Sequence, residues 1–371
     1  MSYYSIVSDY LRKADVQING NRPWDIQVHN PRFYKRVLRD GDLGLGESYM
    51  EQWWDCPQLD AFFTRVLRHG LQYEIRLGWK TALYALWARL TNLQTKLLAK
   101  KSIQYHYDLS QELFEAMLDE DMNYSCAYWE GADTLEQAQR NKLELICRKL
   151  HLKPGMKVLD IGCGWGAFAL YAAERYGVEV VGITLSQNQL DYARQKGKNL
   201  PVQFHLMDYR ELDGQYDRIV SIGMFEHVGY KNYRRFFRIV RQCLADDGLF
   251  LLHTIGHRET VYSGSPWLST YIFPHGLIPS LAHIARAHEE LLVLEDLHNI
   301  GAHYDPTLME WYRRFEQHWP KLSAQFDQRF YRMWKYYLLM CAGIFRSRYL
   351  HVWQIVFSKN GVPGGYKSIR L

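Results

Sequence analysis

Met156-Lys157-Val158-Leu159-Asp160-Ile161-Gly162-Cys163-Gly164-Trp165-Gly166 decides the fold. A Lys153-Pro154-Gly155 turn precedes a short apolar run that reads as a buried strand. Three alternate glycines follow, and then a helical pattern over Gly164–Tyr176. Outward from this point strand and helix alternate. Strands are expected at Met156–Gly162, Glu179–Leu185, Val202–Asp208, Tyr216–Gly223 and Leu249–Ile255. Helices are expected at Ser186–Lys196, with Ser186 as N-cap, and at Asn232–Leu244, stopped by Asp246-Asp247-Gly248. Such alternation predicts a parallel, doubly wound α/β sheet with a ligand at the strands' carboxyl ends. The glycine spacing is GxGxG and not the GxGxxG of dinucleotide enzymes, and the second strand ends without the acid that would hold a ribose. A nicotinamide cofactor is therefore disfavoured. Glycine in this loop lets backbone amides approach a ligand at a helix N-terminus.

The chain has 371 residues, which suits two domains. Hydrophobic residues at 47% and charged residues at 23% exclude a disordered chain. No apolar run is long enough to span a bilayer, and no secretory signal is visible at the N-terminus. The 6 cysteines form no CxxC pair or zinc spacing, so no metal site is expected and reduced thiols in the cytoplasm are the default. Charge is uneven. Residues 1–104 carry 15 Lys and Arg against 10 Asp and Glu, and the remainder carries 30 of each. The whole excess of +5 thus lies in the first third and suggests an anionic partner, membrane or nucleic acid.

That excess accompanies an amphipathic pattern. No acid occurs from Ile75 to Tyr107, while Trp79, Leu83, Leu86, Leu90, Leu93 and Leu97 form one helical stripe flanked by Lys80, Arg89, Lys96 and Lys100. An interfacial helix on an anionic membrane fits this pattern, and so does a helix packed between domains. Gly41, Gly44 and Gly46 read as a turn and hinge before Ser48–Trp54. The partition expected is 1–88 as a small, mainly helical lipid- or membrane-binding domain, 89–104 as linker and basic helix end, and 105–371 as catalytic domain. Arg258–Leu281, with Trp267, Tyr271 and Phe273, breaks the alternation and reads as a lid or acyl channel, or as packing over the sheet. Asp305–Tyr349 reads as aromatic-rich helices before a last strand, His351–Phe357.

Leu159–Gly166 resembles motif I of S-adenosylmethionine-dependent methyltransferases. The wider set is more specific: His106-Tyr107-Asp108-Leu109, Tyr124-Ser125-Cys126-Ala127-Tyr128-Trp129, Gly223-Met224-Phe225-Glu226-His227-Val228-Gly229 and Leu251-Leu252-His253-Thr254-Ile255-Gly256. Together with Leu43–Tyr49, Trp53-Trp54 and Tyr271-Ile272-Phe273-Pro274, it resembles the cyclopropane-fatty-acyl-phospholipid synthases and mycolic acid cyclopropane synthases over nearly the whole chain. The resemblance implies a class I S-adenosylmethionine-dependent methyltransferase fold with a mostly parallel seven-stranded sheet. It also implies methylene transfer from S-adenosylmethionine to the cis double bond of an unsaturated phospholipid acyl chain. The carbocation would be deprotonated by bound bicarbonate.

Carried over by position, the catalytic residues are Cys126, Glu226, His253 and Tyr304, with Cys341 ranked below them as a pocket lining. The bicarbonate cradle is Cys126, Glu226, His253, Tyr304 and the backbone of Ile255. The cofactor residues are Tyr124, Ser125, Gly162, Gly164, Thr184, Leu185, Gln189, Asp208 and Tyr209. Taken singly, Cys126 also suits a small buried hydrophobe, His253 a satisfied core histidine, Tyr304 ordinary packing and Gln189 an exposed helix position. The family further implies a homodimer held peripherally on the inner face of the membrane. Two other functions fit parts of the sequence. One is a related lipid C-methyltransferase giving methyl-branched chains. The other is a basic nucleic-acid methyltransferase, against which stand the apolar stripe and the lack of an Asn/Asp-Pro-Pro-aromatic stretch.

Overall fold

The computed structural model describes residues 2–71 and 110–371. The described residues fall into two compact units. One draws on residues 2–71, Tyr262–Pro274 and Tyr304–Leu350, the other on residues 110–261, His275–His303 and His351–Leu371. The basic stripe of 75–107, and His106, Tyr107 and Asp108 with it, lie outside the described residues.

The second unit is built on a seven-stranded sheet. Its strands are β1 (Lys157–Ile161), β2 (Glu179–Thr184), β3 (Val202–Leu206), β4 (Tyr216–Ile222), β5 (Leu244–His257), β6 (Val293–Asn299) and β7 (Leu350–Ser358). The order is β3-β2-β1-β4-β5-β7-β6. The pairs β1–β2, β1–β4, β2–β3 and β4–β5 are parallel, and β6–β7 is antiparallel. Successive side chains of a strand point to opposite faces, and here both faces are covered. Leu159, Ile219, Phe250, Leu252, Ile355 and Phe357 enter one core with Phe236 and Phe237. Their neighbours Val158, Val220, Leu249, Leu251 and Val356 enter the other with Phe168, Ala169 and Ala172. Strands buried on both faces read as continuous apolar runs, which is why β1, β2, β4 and β5 show in the sequence.

Helix Gln187–Lys196 starts at the expected cap, the Ser186 hydroxyl accepting from the Gln189 amide. Two differences stand out. Asp246-Asp247-Gly248 does not separate helix from strand, since β5 already begins at Leu244. Strand β6 follows no apolar period: Val293 and Leu294 are exposed, and Asp296 is tied to Ser368 and Arg370.

The first unit is mainly helical, with helices Tyr3–Lys13, Arg32–Met50, Leu59–Arg68, Pro266–Tyr271, Tyr304–Leu322 and Gln328–Arg346. The hinge expected at Gly41, Gly44 and Gly46 narrows to Gly41, where φ is 60°. Gly44 and Gly46 stay helical because neighbours approach closely. A Cβ on Gly46 would lie 2.3 Å from the Trp267 ring. Of Arg258–Leu281, expected as lid, acyl channel or packing over the sheet, the part Tyr262–Pro274 lies against helix Arg32–Met50: Ser265 donates to Asp42, and Tyr271 donates to Glu47 at 2.9 Å. Helix Gln328–Arg346 joins the same unit. Its Arg332 donates to the carbonyls of Tyr49 and Trp54 at 2.6 and 3.0 Å, and its Gly343 lets the backbone of Asp60 approach. The observed units are therefore discontinuous in sequence, whereas the reading above kept 105–371 together. Aromatic burial of Trp267, Trp334 and Tyr336 is what recruits these later segments.

Gly256, near the end of β5, faces Trp353, and a Cβ there would lie 2.2 Å from the indole. Gly256→Ala should destabilise the protein by about 1–3 kcal/mol, as overpacked cores do. Urea denaturation measures this, and an unchanged midpoint would show that Trp353 yields freely.

Candidate active site

The turn after β1 carries the first part of the site. Gly162 has φ 85° and Gly164 has φ 54°, the left-handed region that glycine adopts without strain. A Cβ on Gly162 would strike Met224 at 2.6 Å, while the Cα of Gly164 faces open space. The amides of Gly162 and Cys163 are already spent on the Ile183 carbonyl, at 3.0 and 2.9 Å. They fix the loop to β2 and do not serve a ligand.

A cavity opens at the carboxyl ends of β1, β2, β3 and β4. Tyr124, Ser125, Gly162, Gly164, Thr184, Leu185, Gln189, Asp208 and Tyr209 all line it. The structure thus brings together every residue assigned above to the cofactor. Thr184 donates to Gln189 Oε1 at 2.9 Å, which holds the buried amide in the wall. The Asp208 carboxylate accepts from Arg210 at 2.6 and 2.7 Å, so this acid is neutralised internally. Three buried polar atoms in the wall have no partner among the described residues: Asp160 Oδ1, Trp165 Nε1 and Tyr209 Oη. Buried polar atoms normally find partners, so the wall fits a ligand with several polar groups, as the nucleoside and amino-acid ends of S-adenosylmethionine provide.

Lys142 was not foreseen. It lines the same cavity, is fully buried, and donates to Asn123 Oδ1 at 2.7 Å and Ser125 Oγ at 3.1 Å. Burial lowers its pKa to about 8 against the fields of Asp119, Cys126, Asp121 and Asp160. The signal existed in the sequence. Leu135, Ala138, Lys142 and Ile146 share the buried face of helix Leu135–Lys149, so Lys142 stands where an apolar residue was due.

The second part lies where β4 and β5 end. Glu226 sits in the turn Phe225–His227, whose neighbours Met224 and His227 line the cavity. Its Oε1 accepts from the Ile255 amide at 2.6 Å, and its buried Oε2 has no partner among the described residues. Burial raises its pKa to about 7, opposed chiefly by the Ile255 amide. His253, two residues earlier on β5, points to the same side of the strand. It is buried, lies 3.3 Å from Gln354, and is held well below its ordinary pKa by burial and then by Lys142. The Gly223 amide donates to the His253 carbonyl at 2.9 Å. Cys126 is buried, its thiol towards the carbonyls of Ala127 and Ile300 at 3.3 and 3.9 Å, and burial raises its pKa strongly. Ile255 enters the set through an amide already given to Glu226, not as a free donor.

Tyr304 and Cys341 belong to the helical unit. The Tyr304 ring packs 4.6 Å from Phe345. Cys341 is partly buried, and desolvation pushes its thiol up to about 12, so it is not a thiolate at neutral pH. No group of three or more His, Cys, Asp or Glu suited to a metal occurs among the described residues.

The strand order, the antiparallel last pair and the glycine-loop cavity define a class I S-adenosylmethionine-dependent methyltransferase. A family model described as mycolic acid cyclopropane synthetase matches residues 94–355. The chain is 52% identical over 369 residues to cyclopropane-fatty-acyl-phospholipid synthase of Escherichia coli (strain K12), covering 100% of this chain and 96% of that one. It is 38% identical over 288 residues to cyclopropane mycolic acid synthase 2 of Mycobacterium leprae, covering 70% and 94%. The crystal structure of mycolic acid cyclopropane synthase CmaA1 complexed with SAH and CTAB superposes with a TM-score of 0.66 at 35% identity, covering 70% and 98%. The chain belongs to the cyclopropane synthase family.

Glu226 gives the site a pH signature. In the unfolded chain its carboxyl releases its proton near 4.5, and in the folded protein near 7. Between these values the folded state binds more protons, so stability is full below the lower value and falls as pH rises to the upper one. Glu226→Gln removes this loss. The variant's Tm relative to the wild type should rise between pH 5 and pH 8. A difference constant across that range would show that the carboxyl ionises normally.

Proposed function

We propose that the protein forms cyclopropane rings in the acyl chains of unsaturated phospholipids. Bound S-adenosylmethionine would supply a methyl carbon made electrophilic by its sulfonium. The alkene's π electrons form a bond to that carbon as the carbon–sulfur bond breaks, which leaves a carbocation on the chain. Loss of a proton from the new methyl group closes the ring. Holding alkene and methyl in line is worth about 7–11 kcal/mol, so the cavity wall is a main source of rate.

The observation that carries this reading is Glu226, a buried carboxyl whose Oε2 lacks a partner among the described residues, in the turn that lines the cavity. A bound bicarbonate would supply a base that does not attack the cation. The residues suit such an anion: the protonated Glu226 carboxyl, which persists to about pH 7, can orient it through a hydrogen bond without transferring the proton, and neutral His253 adds no competing charge. Tyr304 and Cys126 complete the assigned cradle by family position.

Glu226→Gln should lower turnover by about a hundredfold or more, within the usual range for a proton-transfer group, and leave SAH affinity within about threefold. Incubation of the purified protein with labelled S-adenosylmethionine and unsaturated phospholipid vesicles, followed by NMR of the product, tests the reaction itself. Ring protons support it, and a methyl branch would instead favour a related lipid C-methyltransferase. Unchanged turnover in the variant removes Glu226 from the chemistry.

The acyl chain must be met at a bilayer. No described helix is long and apolar enough to cross a membrane. Peripheral attachment to the inner, anionic face is proposed instead, through the basic stripe of 75–107, with a homodimer gripping the surface through both copies. Each cation near such a surface adds about 1 kcal/mol. Neutralising Lys96, Lys100 and Lys101 to glutamine should weaken binding to anionic vesicles by about a hundredfold at low salt, with the difference shrinking as salt rises. Co-sedimentation measures it, and unchanged binding makes the stripe structural.

A further inference from the structure

Strand β7 is buried along nearly all of its length, and Val352, Trp353, Ile355, Val356 and Phe357 fill it with apolar side chains. Gln354 interrupts them. It is fully buried, and its Oε1 has no partner among the described residues. An unpaired amide oxygen away from water is costly, so packing alone would be better served there by leucine or methionine. The other end of the amide has a use. Gln354 Nε2 lies 3.3 Å from Nδ1 of His253 on the neighbouring strand β5.

A glutamine Nε2 can only donate, so His253 Nδ1 accepts. A neutral imidazole carries one N–H, and with Nδ1 accepting, that hydrogen stands on Nε2. The surroundings keep the ring neutral, burial first and then the cations Lys142 and Lys149. On its other side β7 sets Gln354 opposite His298 of β6, whose Nδ1 lies 3.1 Å from Lys149 Nζ. No carboxylate is hydrogen-bonded to either histidine ring among the described residues. A carboxylate at Nδ1 turns an imidazole into a base by stabilising the imidazolium that forms. An amide in the same place orients the ring and leaves it uncharged.

We infer that Gln354 is a positioning residue of the proposed site: by donating to Nδ1 it keeps the His253 hydrogen on Nε2, so that the ring donates to the bound bicarbonate and does not compete with it for the substrate's proton. The inference rests on the anion reading given above. It accounts for a polar side chain in an otherwise apolar strand, and for an amide where a general-base histidine would have an acid. An apolar residue at 354 would fill the same volume and leave the tautomer unset. Only the fraction of rings with the hydrogen on Nε2 could then serve the anion, and its apparent affinity would fall by that fraction.

Nitrogen-15 NMR of the full chain, labelled at histidine, reads the tautomer without any turnover. The His253 signals are assigned by their loss in His253→Asn. The wild type at neutral pH should show a bare Nδ1 and a protonated Nε2. In Gln354→Met the two shifts should move towards each other as the tautomers mix. The second readout is turnover on unsaturated phospholipid vesicles in buffer stripped of carbon dioxide and titrated with bicarbonate. The bicarbonate needed for half-maximal turnover should rise at least about threefold in Gln354→Met, while SAH affinity stays within about twofold. Gln354→Leu serves if the methionine variant does not fold. A wild type with the hydrogen on Nδ1 overturns the inference without any variant, and so does a folded variant with unchanged shifts and bicarbonate dependence. If turnover depends on bicarbonate but Nδ1 carries the hydrogen, only the role of Gln354 fails. If the wild type turns over without bicarbonate, the anion reading fails and the use assigned to the tautomer falls with it.

Discussion

Glu226, His253 and Cys126 share one circumstance, removal from water, and each answers it by staying uncharged. Desolvation penalises the ionised form of any buried group. It holds a proton on Glu226 up to about pH 7, keeps His253 neutral, and keeps Cys126 a thiol. This matters for chemistry at a sulfonium methyl group. A thiolate, a free carboxylate or a loosely held water would each compete with an alkene for that carbon or trap the cation afterwards. A weak nucleophile such as an isolated double bond can react only where stronger ones are absent or protonated. The apolar environment therefore selects the reaction as well as stabilising the fold.

The same constraint explains how the two halves of the site are tied. Chain positions 226 and 255 meet because the Ile255 amide donates to Glu226 Oε1 at 2.6 Å. That bond joins the turn after β4 to the end of β5, beside the strand pairing of Ile222 with His253. Lys142 adds a longer-range link. Its charge acts on Asp160 in the donor cavity and on Cys126 and His253 beyond it. After burial itself, this one buried cation acts on Asp160, Cys126 and His253 alike, which surface lysines screened by water could not do.

What was legible in the sequence follows from periodicity. β1, β2, β4 and β5 are covered on both faces and so appear as apolar runs, and the Gly162–Gly166 turn marks its own conformation. β6 was not legible, because an edge strand with Glu295, Asp296 and His298 carries no clean alternation. Its place in a seven-stranded sheet came from the family resemblance. Gly44 and Gly46 misled in the opposite sense. Glycine in a helix usually marks a break, but here it admits Trp267 and the backbone of Arg36, and tertiary packing overrides local propensity. The nine positions assigned to the cofactor, which line one cavity, rest on matching a motif and not on deriving geometry. Lys142 was missed because a lysine in a helix is read as solvated, and only its place on the apolar face said otherwise.

The discontinuous helical unit carries the last step. Trp267, Trp334 and Tyr336 are buried there from segments far apart in the chain, so large rings join aliphatic residues such as Leu59 and Leu338 in its core. Rings supply large buried area with few rotatable bonds, and they let glycines and arginines seat against flat faces. Arg332 lies 3.9 Å over Tyr49 while bonded to two backbone carbonyls, and Gly46 abuts Trp267. The high aromatic content of this chain need not be assigned to a cation-stabilising wall residue by residue. A substantial share is already committed to holding the N-terminal helices, the Tyr262–Pro274 segment and the two long C-terminal helices as one body. Tyr124 and Trp165, by contrast, line the donor cavity while packing against Phe114.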